Sequence, residues 1–496
     1  MSTSLAALLT RSGVDPAAAA LRHHDRVMSY AELSERSTRI ADLLARREIR
    51  VLAIAADNSP DWVCVDFATQ IAGVTLVPLP LFFSAAQIHH ALADSSAEAV
   101  VVDGAGARLV RVLDADETET LTGELALLRL PSRSARRLPE RAAKVSYTSG
   151  TTGRPKGVAL KQEALDCVAE SLCGALAETD IERHVCLLPL ATLLENVAGV
   201  YAPMMRGAEI VVPSSSEVGF VGAASLDAKR MLACLHAYEA QSVILLPQML
   251  AALVAAAEQG MRPPSSLRFA AVGGGVVAAS LLERADRLAL PIYEGYGLTE
   301  CASVVALNTP RARRPGSAGR PLAHTRVRIG TSGEIFVAGA MMTGYVGEPA
   351  MDAREIATGD VGRLDSDGFL FIQGRRKNMF ITSFGRNVSP DWVEAELANG
   401  PAIAQAALFG EARPWNVAVI VPAQGAGTVD IRRDVDTANG ALPDYAQVHQ
   451  WIVAREPFTP ANGLATANGR KRRGAIWECY RHRIDACYDE YVSNYA

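Results

Sequence analysis

Tyr147-Thr148-Ser149-Gly150-Thr151-Thr152-Gly153-Arg154-Pro155-Lys156-Gly157 is a hydroxyl- and glycine-rich loop containing a single lysine. Glycine lets backbone N–H groups close on an anion, the Ser/Thr hydroxyls add donors, and Lys156 brings a mobile positive charge. Together these suit a polyphosphate. The spacing is not that of GxxxxGK[ST], so this is no Walker loop. On its own the stretch reads equally as a glycine-rich surface turn. Its flanks argue for more: residues 143–147 and 158–160 are short β-forming runs, and the pattern predicts strand, loop, strand.

Working outward, 496 residues exceed what one compact core supports and predict at least two domains. Hydrophobic residues make up 49% and charged residues 21%, the balance of an ordinary globular protein. A net charge of -5 gives no global attraction to nucleic acid, and the basic clusters at 311–314 and 470–473 are local. The eight cysteines contain no CxxC pair, which argues against a zinc ribbon or disulfide framework and fits a reducing cytoplasm. No basic-then-apolar leader opens the sequence, and no apolar run reaches the roughly 18 residues of a membrane span. A cytoplasmic protein without an integral membrane segment is expected.

Helical spacing at 34–46 and 61–72 alternates with β-rich runs at 51–55, 74–77 and 99–102. Runs at 185–188, 209–212, 242–246 and 269–272 continue the alternation, which predicts layered α/β sheets. After about residue 320 shorter strands and turns take over. A boundary is expected near 374–377, dividing the chain into 1–374 and 375–496, with a final amphipathic helix at 474–491.

Three further blocks carry chemistry. Gly273-Gly274-Gly275 precedes Tyr293-Glu294-Gly295-Tyr296-Gly297-Leu298-Thr299-Glu300. Bare glycine backbone gives a flat base a surface to lie on, and Tyr296 can stack on it. Thr299 is a phosphate donor, and Glu300 is a hard oxygen ligand for the Mg²⁺ that accompanies ATP. Alone, Gly-Tyr-Gly also reads as a plain turn. In Thr358-Gly359-Asp360-Val361-Gly362, the Asp360 carboxylate can accept both hydroxyls of a ribose, or simply close a turn. Gly374-Arg375-Arg376-Lys377-Asn378 adds Arg375 as a second group within reach of that ribose. His184, His236 and His324 are singletons of the kind usually found on surfaces or satisfied in cores.

In order and spacing the four blocks resemble the adenylate-forming (ANL) superfamily of acyl-CoA synthetases, adenylation domains and luciferases. The likeness implies an α/β protein: a large N-terminal domain of two α/β sheets plus a small β-barrel, and a small mobile α+β C-terminal domain hinged near Lys377. It implies that Thr148, Ser149, Gly150, Thr151, Thr152, Gly153, Gly273, Gly274, Gly275, Tyr296, Gly297, Asp360, Arg375 and Lys377 hold the nucleotide. Lys156, Thr299 and the metal ligand Glu300 are implied in catalysis. The implied reaction has two halves: a carboxylate attacks the α-phosphorus of MgATP, giving an acyl-adenylate and pyrophosphate, and a thiol then displaces AMP.

One position departs from the pattern. Where these enzymes carry a lysine that bridges carboxylate and α-phosphate, the matching segment Asn468-Gly469-Arg470-Lys471-Arg472 offers Arg470, with Lys471 one residue late. A one-residue slip in extended chain turns a side chain to the other face, so Arg470 is expected to act, and Lys471 can serve only if the backbone shifts. A protein that has lost adenylation and keeps only nucleotide binding or the thiolation half is the alternative.

The motif Leu188-Pro189-Leu190-Ala191-Thr192-Leu193-Leu194-Glu195-Asn196 resembles that of long-chain acyl-CoA synthetases. By that likeness Thr192, Glu195, Asn196 and Gly199 are expected to line the acid's pocket. A medium- or long-chain fatty acid is the expected donor, with an aryl acid as competitor. Coenzyme A is the expected acceptor, with an acyl carrier protein as alternative.

Overall fold

The computed structural model describes residues 14–110, 117–131, 138–139, 141–148, 155–221, 225–351, 353–466 and 469–495. The β-branched runs become two sheets. Thr75–Pro78, Val51–Ala55 and Ala99–Val102 lie parallel in the middle of an eight-stranded sheet. Arg183–Val185, Ser242–Leu245, Phe269–Val272 and the start of Ile292–Leu298 run parallel inside a nine-stranded one. Both faces of such strands are covered, which explains their unbroken apolar character.

Local chemistry sets the helix ends. The helix expected at 34–46 begins four residues earlier, at Tyr30, because Ser29 and Glu32 form a reciprocal capping box. Pro60–Ala72 is opened by the Ser59 hydroxyl, which accepts from the Trp62 N–H, and closed by Gly73 in the left-handed region. Three elements are then bolted together in the interior. Lys144, buried, donates to Asp66 at 2.9 Å, to Tyr201 at 2.8 Å and to Asn196, while Asn196 and Tyr201 both donate to Asp66.

Where a small barrel was expected, Thr325–Ile329, Glu334–Gly339, Ile356–Leu364 and Leu370–Arg375 form a four-stranded antiparallel sheet. Strands beyond Arg375 pair only with one another: Phe380–Ile381 with Asn387–Val388, and Asn416–Pro422 between Ile403–Phe409 and Val448–Val453. The final helix, Arg473–Tyr495, buries Ile476, Tyr480, Ile484, Cys487 and Tyr488 against this last sheet. No helix among the described residues is long and apolar enough to cross a membrane.

The two parts meet along a cleft of about 2470 Å³. It opens at the carboxyl ends of the parallel strands, where open α/β sheets bind ligands. Part of the seam is a helix cap supplied from across the boundary. Ala279–Arg287 has Ala278 in its cap position, which offers no side-chain acceptor. Glu396 fills that role, accepting from the Ala279 N–H at 3.0 Å and the Ser280 hydroxyl at 2.5 Å, while Asn399 donates to the Ser280 hydroxyl at 2.7 Å.

Candidate active site

Strands Lys144–Thr148 and Lys156–Leu160 form an antiparallel pair with Thr148 opposite Lys156, so the expected strand, loop, strand arrangement is present. The segment carrying Ser149, Gly150, Thr151, Thr152 and Gly153 lies outside the described residues. Lys156 leaves its strand over the Tyr345 ring, 4.9 Å from the centroid, and pairs with Glu348 at 3.3 Å. Both partners are half exposed, so this pair is weak and gives way easily to a phosphate. Tyr345 in turn donates to Glu300 at 3.0 Å. Lys156, Tyr345 and Glu300 therefore form one row. Tyr345 and Glu348 carry no local motif, and only the packing of Gly344–Tyr345 onto Lys156–Leu160 brings them here.

Gly-Tyr-Gly is strand rather than turn, lying within Ile292–Leu298. A Cβ at Gly297 would sit 1.9 Å from the Ser303 carbonyl oxygen of the neighbouring strand, so only glycine permits this approach. Gly273 passes the Gly295 carbonyl at a distance that would leave a Cβ 3.2 Å away, which sets Gly273 to Gly275 beside Tyr296 as one strip on the cleft wall. Thr299 and Glu300 follow in a short 3-10 turn on the same wall.

Asp360 and Arg375 are opposite one another on adjacent strands and form an ion pair at 2.8 Å. The Tyr296 hydroxyl donates to the other carboxylate oxygen at 2.6 Å. Burial pushes the Asp360 carboxyl up, against the lowering effect of Arg375, Tyr296 and Arg470. Lys377 is exposed on the cleft wall just past this pair.

Arg470 and Lys471 separate cleanly. Thr466 and Arg470 close a tight turn, with Thr466 N–H donating to the Arg470 carbonyl at 2.7 Å and Ala465 bridged to Lys471. That register sends consecutive side chains to opposite faces. Lys471 points into the C-terminal part, donating to the Glu394 carboxylate and to the Ala406 carbonyl at 2.7 Å. Arg473 donates to Glu394 from the other side. Burial raises Glu394, but Arg473 and Lys471 outweigh it and hold the carboxyl below its usual range.

Arg470 faces the cleft. It keeps contact with solvent, yet enough protein surrounds it that burial, and then the Arg375 guanidinium, lower its pKa against the pull of Glu300, Asp360 and Asp391. It thus lines the same cleft as Glu300, Asp360 and Arg375.

Three residues expected to line the acid's pocket do not. Asn196 is locked in the Lys144 network. Glu195, fully buried, accepts from the Leu188 N–H at 2.9 Å and pairs with His184 at 3.0 Å. A Cβ on Gly199 would lie 2.1 Å from the Glu195 carboxylate, so its missing side chain makes room for Glu195 and His184 and not for a ligand. The cause is the seven-residue π-helix Glu195–Tyr201, whose wider turn rotates these positions toward the interior. Thr192 does line the cleft, its hydroxyl donating to the Pro189 carbonyl at 2.7 Å.

The described groups fit a magnesium nucleotide: a Glu300 carboxylate in one row with Tyr345 and Lys156, a carboxylate with an arginine for the ribose, and a glycine strip for the base. Comparison with known proteins agrees. The AMP-binding enzyme family matches residues 10–346, and the AMP-binding enzyme C-terminal domain matches 377–492. A feruloyl-CoA synthase of Amycolatopsis sp is 31% identical over 458 residues, covering 84% of this chain and 88% of that one. A long-chain-fatty-acid–CoA ligase of Mycobacterium bovis is 26% identical over 543 residues, covering 87% and 86%. The structure of Bacillus subtilis o-succinylbenzoate CoA synthetase with ATP and magnesium superposes with a TM-score of 0.73 at 25% identity, covering 94% and 98%. The chain belongs to the AMP-binding enzyme family, the adenylate-forming superfamily that its loops resemble.

Proposed function

We propose that this protein is an AMP-forming acid–CoA ligase that activates a hydrophobic carboxylic acid as its adenylate and passes the acyl group to the thiol of coenzyme A. The observation that carries this reading is Arg470, exposed on the wall of the cleft that Glu300, Asp360 and Arg375 also line. Attack of a carboxylate on a triphosphate brings like charges together, and a forked cation between them stabilises that approach. Asp360 and Arg375 would hold the ribose, Gly273 to Gly275 and Tyr296 the base, Lys156 the phosphates, and Glu300 the Mg²⁺. The metal, when bound, neutralises the triphosphate. The division at 374/375, with rotation about Lys377 to admit the thiol, belongs to the same proposal. The presence of this whole set argues against a non-catalytic nucleotide binder.

An aryl or arylalkanoic acid is the better supported donor. Relatives named for ferulic acid and o-succinylbenzoate stand beside one named for long-chain fatty acids, and the first of these has the higher identity. The fatty-acid reading keeps one observation in its favour, which is depth. Below Gly273 the cleft continues along the sheet face past Ala271 to Phe269, and four strand residues at about 3.3 Å each make that roughly 13 Å.

ATP–pyrophosphate exchange with Mg²⁺, across aryl acids and fatty acids of increasing length, tests the reading, followed by AMP release on adding coenzyme A. Exchange with one acid class and CoA-dependent release are the expected results. Silence across the panel with ATP binding intact would sink it.

A further inference from the structure

The channel below Gly273 is walled by apolar side chains: Leu172 and Leu176 on one side, Ile244, Phe269 and Ala271 on the sheet, and Ala198 between. A polar pair interrupts this stretch of it. Ser242 and His184 are paired in register on adjacent strands, two residues below Ile244 on the same face, and both line the channel. Each is almost wholly buried, at 4% and 3% exposure.

Their hydrogen bonds have a direction. The Glu195 carboxylate accepts from the Leu188 N–H, and the Cys186 thiol, kept protonated by burial and by Glu195 itself, donates to the Gly199 carbonyl. The carboxylate is an acceptor, so the ring nitrogen 3.0 Å away, His184 Nε2, carries the proton. In that tautomer Nδ1 holds a lone pair, and the Ser242 hydroxyl, 2.8 Å from it, donates its proton there. Ser242 Oγ is left with acceptor capacity alone, on the wall of an apolar channel. A buried hydroxyl that donates its proton keeps spare acceptor capacity, and a ligand that brings a donor can use it.

We propose that Ser242, oriented by His184 and Glu195, is an acceptor subsite that selects acids carrying a hydroxyl at the end remote from the carboxylate. The phenolic or ω-hydroxyl proton bonds Ser242 Oγ while the carboxylate lies beside the Gly273 strip. The inference deepens the ligase reading, and rests on it only for the fate of the carboxylate. Glu195 acts through His184 and is a positioning residue.

The test uses the full-length enzyme and matched acids with and without the distal hydroxyl, in an arylalkenoic pair and an ω-hydroxy fatty-acid pair. Two readouts are taken, kcat/KM for AMP formation and calorimetric affinity for the acid. The hydroxylated member of the pair that fits is expected to be favoured by about 3- to 10-fold in both readouts. Ser242→Ala should abolish the preference with the unsubstituted acid within about twofold of wild type, and Ser242→Thr should keep it. A preference that survives Ser242→Ala, or none in the wild type, overturns the subsite while AMP formation still supports the ligase. A Ser242-dependent preference in calorimetry without any AMP formation supports the subsite and removes the ligase reading.

Discussion

Lys144 and Lys471 both take a lysine ammonium out of bulk water to a carboxylate, Asp66 in one case and Glu394 in the other. Around Asp66 every partner comes from the same part of the molecule, and the cluster is sealed, with Lys144 at 3% side-chain exposure. Around Glu394 the cluster is only half sealed, with Lys471 at 28%, and it lies on the cleft wall immediately beside Arg470. One is a bolt between a helix, a strand and a π-helix. The other fixes the register of a turn and so aims its neighbour. The same chemistry yields rigidity where it is enclosed and orientation where it borders a cavity.

The sharpest way to break the comparison is to remove each lysine. Lys144→Met leaves Asp66 buried without its cation and is expected to lose about 3–5 kcal/mol of stability in denaturant titration, the cost of breaking a buried pair. If stability were unchanged, the enclosed cluster would be ornamental. Arg470→Ala should leave stability within about 0.5 kcal/mol but lower pyrophosphate exchange by roughly 10²–10³-fold, the loss typical of one charge-stabilising donor. Lys471→Met leaves Arg473 on Glu394 and is expected to lose a smaller amount of stability, about 1–3 kcal/mol, together with part of the exchange activity. Full exchange in Arg470→Ala with none in a folded Lys471→Met would reverse the two assignments.

A third carboxyl serves as a control, because Glu294 is half-buried and no lysine among the described residues is paired with it. It accepts from the Gly316 N–H at 3.0 Å, and burial pushes its pKa up from 4.5 to about 8. The folded chain therefore keeps a proton that the unfolded chain releases between those values. Its contribution to stability is full below 4.5, falls as pH rises through the window, and levels off above about 8. Glu294→Gln keeps the acceptor for Gly316 and should flatten that slope in denaturation curves measured between about pH 5 and pH 8. A slope identical in the variant would show that Glu294 is already compensated as Asp66 and Glu394 are.

Much of the frame was legible from residue pattern. Val51–Ala55, Ala99–Val102 and Phe269–Val272 fall on the runs read as strands, since parallel buried strands advertise themselves as short β-branched blocks. What local pattern cannot show is the partner of a buried polar residue. Asn196 meets an aspartate 130 positions away, and His184 meets a serine 58 positions away. Glu195 and Asn196 looked like pocket residues because their motif is local, and the π-turn that rotates them inward has no sequence mark of its own. Arg470 and Lys471 were separable because alternation along extended chain is a local rule.

The borrowed cap at Ala279 has a consequence for timing. The helix it closes begins a few residues after the glycine strip beside Tyr296, and its first turn owes two hydrogen bonds to Glu396. Any swing of residues 375–495 away from the large part has to withdraw that carboxylate first. If residues 375–495 rotate as proposed, the first turn beside the nucleotide wall loses both of these bonds at the same moment, so the order of a single helical turn would follow the position of the C-terminal part.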